Sequence, residues 1–446
     1  MYYLFLSRCL RQEKIYVSYE RKQLQSLNEG VAEAGRRLAQ AAWIAHMQKE
    51  NLEGLILSRE DYSPNVCCQR SNLLLQSQFI DAYKQLSHHM VSYSEFLVAL
   101  RQRPNLVAVC LAAGDKTDEL NMLNIVNSLF SGILGSCLLA EDEKLMMEVL
   151  KKLVDIQLIS AANPRKLLRH GNCSLSRLYK AFSEQLFSSK LFLTSALYEP
   201  ILQLLTDDEI FLDIDPSKAV IRFPAEERLK RFGTPGTDEY AANIKSHRMF
   251  IIKKLVAHAK RFISGIQRNF ARFPSHLASI MRYLFSKMTE ASQMETKDIY
   301  AVCVDLLFTL FICPAIVDPE PLGIIDMPIS YIARFNLMQV AQIIQVLALW
   351  KWEEINPQLM DLYSEFEVQS VSKLVEAVLE SFEEPRMDGL DISQQSFRLA
   401  ILLTADQLQD VVTWLRKVSE ENVLPKVFKL DISIICFTTF FLQITL

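Results

Sequence analysis

At 446 residues, half of them hydrophobic and 22% charged, the chain has ample material for a large buried core. Its net charge of −4 offers no basic footprint for nucleic acid, so no nucleic-acid partner is expected. Twelve Gly and 15 Pro point to long regular elements, and nine scattered Cys without C-x-x-C or Cys/His ligand spacing read as reduced core thiols rather than a metal site.

The chain opens on an apolar run, Met1 to Leu6, but Arg8 and Arg11 follow it, the reverse of a secretory signal. Leu24, Leu27, Val31, Leu38, Ala42 and Ala45 recur mostly at steps of three and four, which keeps one face of a long N-terminal helix apolar. Ser58 to Arg70, with Pro64 and Asn65, reads as a loop. Helices are expected over about 71–87, 92–103 (ended by Pro104), 118–136 and 141–160. Gly114-Asp115-Lys116-Thr117 lacks the upstream glycine of a phosphate loop and reads as a helix stop with a Thr cap. After Asn163-Pro164 come helices near 174–187 and 188–206. Asp207 to Ser246, rich in Asp, Pro and Gly, reads as a long connection with little regular structure. Further helices are expected near 247–272, 275–291, 295–312, 329–353, 363–383 and 391–420.

No segment alternates as a strand would, so the expected fold class is all-α, many helices in one elongated body. No period of 30 to 45 residues stands out, which argues against a helical-repeat solenoid. The 15 apolar residues from Ile432 to Leu446 fall short of the roughly 20 that span a bilayer; a buried segment or an alternative end is expected, with a tail anchor as the other reading.

Complete catalytic constellations are missing: the sequence holds no G-x-G-x-x-G, no H-E-x-x-H and no G-x-S-x-G, and no cofactor is implied. His88-His89 reads as solvated, and Glu376, Glu380, Glu383 and Glu384 as a wet helical face.

Two segments say more. Phe308-Thr309-Leu310-Phe311-Ile312-Cys313-Pro314 is a buried helix running into a proline; a Pro-punctuated loop follows, and Ala333-Arg334-Phe335-Asn336-Leu337 restarts an apolar helix. Asn163 to Ser176 presents Arg165, Lys166, Arg169 and His170 on a polar turn before a helix. That is what offering a cation to phosphate requires, though a solvated interhelical loop is the plainer reading.

Together these segments resemble the Ras GTPase-activating (Ras-GAP) domain, an elongated multi-helix module that completes the active site of a small GTPase. The resemblance implies a GTP-bound Ras-superfamily GTPase as partner and one arginine supplied in trans against the charge on the transferring phosphoryl group. For Ras itself that arginine is worth about 10⁵-fold, or roughly 7 kcal/mol of barrier; the figure belongs to that system. Within the family pattern Gly171-Asn172 and Ser176 match the finger loop and put His170 at the finger position, with Leu168 and Arg169 before it. Arg169 is the expected finger, through a shift of one position, since His170 is shorter and not permanently charged. The GTPase-binding groove would comprise Leu310, Pro314, Arg334, Asn336, Gln342 and Gln345. Leu310 stands where the family carries a bracing arginine, and Gln342 where it usually carries a lysine.

The resemblance narrows to the endocytic group that joins a Ras-GAP domain to a C-terminal Rab exchange domain, carried by Glu13 to Val17, Ala42 to Ala45, Phe79 to Leu86 and Phe187 to Thr194. It implies a cytoplasmic protein, peripheral on endosomal or endocytic membranes. The expected organisation is a helical region over 1–160, a Ras-GAP core over 161–385 with the irregular connection 207–246, and a tail over 386–446 with an apolar end. An active GTPase activator is the first reading; a GTPase-binding module that does not accelerate hydrolysis, and a helical scaffold, are the others.

Overall fold

The computed structural model describes residues 2–56, 62–79, 88–117, 122–207, 210–292, 294–380 and 401–420. Every regular element among them is a helix, as the period-3.6 patterning requires. Helix α1 (Tyr2–Ile56) runs 55 residues without interruption. The expected loop around 58–70 is cut short: α2 (Pro64–Leu75) starts at its proline, with the Ser63 hydroxyl accepting from the Val66 amide. Pro64 opens a helix because the first turn needs no proline N–H. Pro104 acts likewise. It ends α3 (His88–Arg101) and begins α4 (Pro104–Thr117), a helix the sequence reading passed over, set at 91° to the last turns of α3. Gly114 and Asp115 therefore lie inside a helix rather than between two.

Helix α5 (Met122–Ser128) continues as a π-helical turn to Ile133, and α6 (Ala140–Leu153) as another to Leu158. Then come α7 (Pro164–His170), α8 (Ser174–Gln185) and α9 (Phe187–Thr206). The stretch from 207 to 246 is more regular than expected. It holds α10 (Pro216–Ile221), α11 (Ala225–Phe232) and the first turns of α12 (Asp238–Asn269), started respectively by Asp215, Pro224 and Thr237. Residues that read as loop formers serve here as caps.

After α13 (Ser275–Ala291), α14 (Thr296–Val304) passes through a π-helical segment, Asp305–Ile312, into the short α15 (Cys313–Val317). Pro314 has no N–H to give and its ring crowds the carbonyl four residues back, so the wider turn before it removes a conflict that a regular helix would keep. Helix α16 is Tyr331–Leu349, α17 Met360–Tyr363, α18 Ser372–Glu380 and α19 Ala405–Glu420. The expected 363–383 and 391–420 helices are thus shorter where described, and 391–400 and the 432–446 run lie outside the described residues.

One contiguous apolar core runs from Phe96 to Val418. At its centre α9 packs along α12. Pro200 inside α9 withholds a donor from the Ala196 carbonyl, and Gly265 of α12 sits against that oxygen, where a Cβ would come within 2.3 Å. Glycine is what permits the approach. The continuous helix Thr296–Val317 and α16 are each long and apolar enough to cross a membrane by length and composition, and 72% and 56% of those windows are buried inside the protein. Cys67, Cys110, Cys137, Cys173, Cys303 and Cys313 are buried and Cys68 is exposed.

Candidate functional site

The basic turn is a rigid one. The Asn163 side chain accepts from the Lys166 amide at 2.9 Å and Pro164 takes the first position, which starts α7. Leu168 is fully buried and anchors the helix. Arg165 and Arg169, one turn apart, face the same way. Both reach a single carboxylate: Arg165 Nε donates to Asp305 Oδ2 at 2.8 Å and Arg169 Nε to Oδ1 at 3.0 Å. Asp305 is completely buried at the start of the π-helical segment, whereas the Arg169 side chain is 44% exposed. Thr309 Oγ1 also donates to Asp305 Oδ1, at 3.2 Å, and Gln345 Nε2 donates to Thr309 Oγ1 at 2.7 Å. Arg165 is paired in addition with Glu353. Burial opposes the Arg165 charge, but Asp305 and Glu353 outweigh it and raise its pKa.

The wide turn is what aims these groups. It brings Asp305 and Thr309 under α7, while Leu310 packs half-buried against the core. At the position expected to brace the loop there is a leucine; the carboxylate of Asp305, at the start of the same π-helical segment, makes the contact instead, with the polarity of donor and acceptor reversed.

The far end of the loop is held as firmly. Gly171 takes the left-handed conformation (φ +65°) that closes α7, and its amide donates to the Leu168 carbonyl. At the start of α8 Asp115 accepts from the Ser174 amide at 2.7 Å and from its hydroxyl at 2.8 Å, and Gln157 accepts from the Leu175 amide at 3.1 Å. Gln157 also donates to Asp115, at 2.6 Å. Burial pushes the Asp115 carboxyl up, with the bonds from Ser174 and Gln157 pulling the other way. His170 and Asn172 are exposed between these two anchors. The roles of Asp305 and Asp115 carried no signal in the sequence, because they lie 136 and 59 positions from the residues they hold, and Gln157 and Thr309 join them only through the folded contacts.

The groove residues separate into distinct environments. Arg334 clamps the end of α15, donating to the Val317 carbonyl at 2.9 Å and pairing with Asp318 and Glu320. Asn336 is buried; it donates to the Ile210 carbonyl at 2.8 Å and accepts from the Leu212 amide at 2.8 Å, tying the connection after α9 to α16. Pro314 is half-buried and Gln345 belongs to the Thr309–Asp305 chain. Gln342 is exposed beside Gln339 on the rim of a 620 Å³ cleft lined also by Asp213, Lys218, Arg222 and Arg248. Arg222 lies between the Phe211 and Phe335 rings, 4.3 and 4.6 Å from their centroids, and pairs with Asp213. Outside this region the expected wet acidic face is only partly so: Glu376 pairs with Lys351, and 383–384 lie outside the described residues. His88 opens α3. No group of three or more metal-binding side chains occurs among the described residues.

Residues 149–349, which contain the basic loop, its carboxylate anchor and α16, match the family described as GTPase-activator protein for Ras-like GTPase. The chain carries a Ras-GAP domain. Over 422 residues, 94% of its length, it is 38% identical to the GTPase-activating protein and VPS9 domain-containing protein 1 of Xenopus laevis, and equally to that of Homo sapiens. It is 33% identical over 352 residues, 77% of its length, to the receptor-mediated endocytosis protein 6 homolog of Drosophila pseudoobscura pseudoobscura. The chain spans 29% of the frog and human relatives and 20% of the fly one.

Proposed function

We propose that this Ras-GAP domain binds a small GTPase of the Ras superfamily in its GTP-bound form and accelerates hydrolysis through Arg169, acting in endocytic traffic at the membrane surface. The observation that carries the reading is the Arg169–Asp305 pair. A guanidinium has five donors. With Nε fixed on a buried carboxylate, its terminal amino groups point from a half-exposed side chain on a loop secured at both ends. A cation held in one orientation before the partner arrives is what electrostatic stabilisation of a transferring phosphoryl group requires. In this reading Asp305 positions the finger, and nucleotide, magnesium and attacking water all come with the GTPase. The endocytic setting rests on the receptor-mediated endocytosis relatives.

A second reading, a GTPase-binding platform without acceleration, draws on the same pair: Arg165, Arg169, Asp305 and Glu353 sum to no net charge, which weakens the pull on phosphate. Leu310, Gln342 and the exposed His170 fit it too. Single-turnover GTP hydrolysis by Ras-family GTPases with the parent, Arg169→Ala and His170→Ala separates the two. Acceleration lost in Arg169→Ala and kept in His170→Ala supports the finger. Binding of GTP-loaded GTPase with no acceleration by the parent supports the platform. Absence of both binding and acceleration across the GTPases overturns both.

A further inference from the structure

Every seventh residue of α1 from Leu10 to Leu52 is apolar: Leu10, Val17, Leu24, Val31, Leu38, Ala45 and Leu52. All seven are exposed, Leu24 at 57% and Val31 at 53%. From Leu24 to Ala41 the positions three residues on are apolar and exposed as well (Leu27, Ala34, Ala41), so the stretch carries an unbroken a/d stripe. The side of the helix that faces the protein is a different one, marked by the buried Ala39 and Trp43. The stripe is therefore surplus to the packing of the domain.

A period of seven is not the period of a straight helix. At 3.6 residues per turn the stripe drifts by about 20° per heptad, and only supercoiling around another helix of the same repeat keeps it in one seam. The occupant that the pattern specifies is thus a heptad helix, and α1 itself supplies one. We propose that α1 pairs with α1 of a second copy of this chain in a coiled coil seeded by Leu24, Leu27, Val31, Ala34, Leu38 and Ala41. Small residues flank the seam at Gly30, Gly35 and Ala42 and let two backbones approach closely. Charge selects the direction. Glu13 and Glu20 occupy the d positions above this stretch, so a parallel in-register pair would set each against its own copy. An antiparallel pair sets a against d, bringing Leu and Val opposite Ala, and separates the glutamates. At 1.5 Å per residue the seam from Leu10 to Leu52 is about 63 Å long, room for an interface of the standard size of about 800 Å² per partner.

Sedimentation equilibrium of the full chain at micromolar concentration tests this. The expected mass is twice the 51.2 kDa of the chain, falling toward one copy on dilution. Leu24→Glu with Val31→Glu, both exposed, is expected to give one copy with unchanged helicity by circular dichroism; Lys22→Glu, on the side of α1 away from the seam, is expected to keep the dimer. A parent that stays at one copy, or a double variant that stays dimeric, overturns the pairing.

Discussion

Arg169 donates its Nε to Oδ1 of Asp305, a residue 136 positions later, at 3.0 Å. That contact joins the basic loop to the π-helical segment ahead of Pro314, the two stretches of sequence that resembled a Ras-GAP domain. It also means that the conformation of the finger candidate is set from beneath by a buried carboxylate.

Replacing Asp305 by Asn keeps the shape and removes the charge that two arginines share. Because both arginines are partly exposed, the expected loss of stability is about 1–3 kcal/mol, read from urea unfolding. If Asp305 positions Arg169, single-turnover GTP hydrolysis with Asp305→Asn falls at least as far as it does with Arg165→Ala. A rate higher than the parent's would instead mark the pair as a restraint on the finger.

The other anchor is testable apart from chemistry. Asp115→Ala removes the acceptor for the Ser174 amide and hydroxyl and frees Gln157. The cost expected for losing such a cap is about 1–2 kcal/mol, with faster amide exchange at Ser174 and Leu175 than in the rest of α8.

Gly171→Ala isolates backbone strain. A Cβ there would meet nothing within 4 Å, so crowding is not at issue, but φ is +65°. A loss of about 1–2 kcal/mol is expected from the left-handed conformation alone, measured by thermal unfolding.

Asn336 is a tether. Asn336→Ala leaves the Ile210 carbonyl and Leu212 amide unpaired in a buried place and is expected to cost about 1–3 kcal/mol. Limited proteolysis should then cut the connection after α9 sooner than in the parent.

Three histidines predict the response to acid. Burial lowers the pKa of His46, with Lys49 acting the same way and Glu50 and Glu184 opposing; of His258, with Arg261 and Lys254 acting the same way and Asp207 opposing; and of His247, with Arg231 adding to it. Their folded values lie below the unfolded value near 6.5, so below that pH the unfolded chain takes up more protons. The stability they permit is present above about pH 6.5 and lost as pH falls through the folded values. Tm should drop between neutral pH and mildly acid pH, and His46→Gln should flatten part of that slope.

Much of the architecture was legible because it is periodic. Steps of three and four gave α1, α9, α13 and α16, and the Cys313-Pro314 junction gave the signature block, since local sterics fix where a helix meets a proline. The misreadings came from residues that have two uses. Pro64, Pro104 and Pro216 read as breakers but each opens a helix, and Pro104 alone of the three also sits directly after the end of another. Arg165 and Arg169 were visible as cations by their type alone. That they share one carboxylate could not be read, because Asp305 is one acidic residue among 52 until the π-helical turn swings it under α7. Most of the helices, the apolar stripe of α1 and the presence of a basic loop could be read from the order of residues, since all of them are properties of neighbours along the chain. The tertiary structure decided what the loop's charges touch, that Asn336 ties down a connection and that Arg334 clamps a helix end. Those depend on contacts between residues distant in sequence, which only packing brings together.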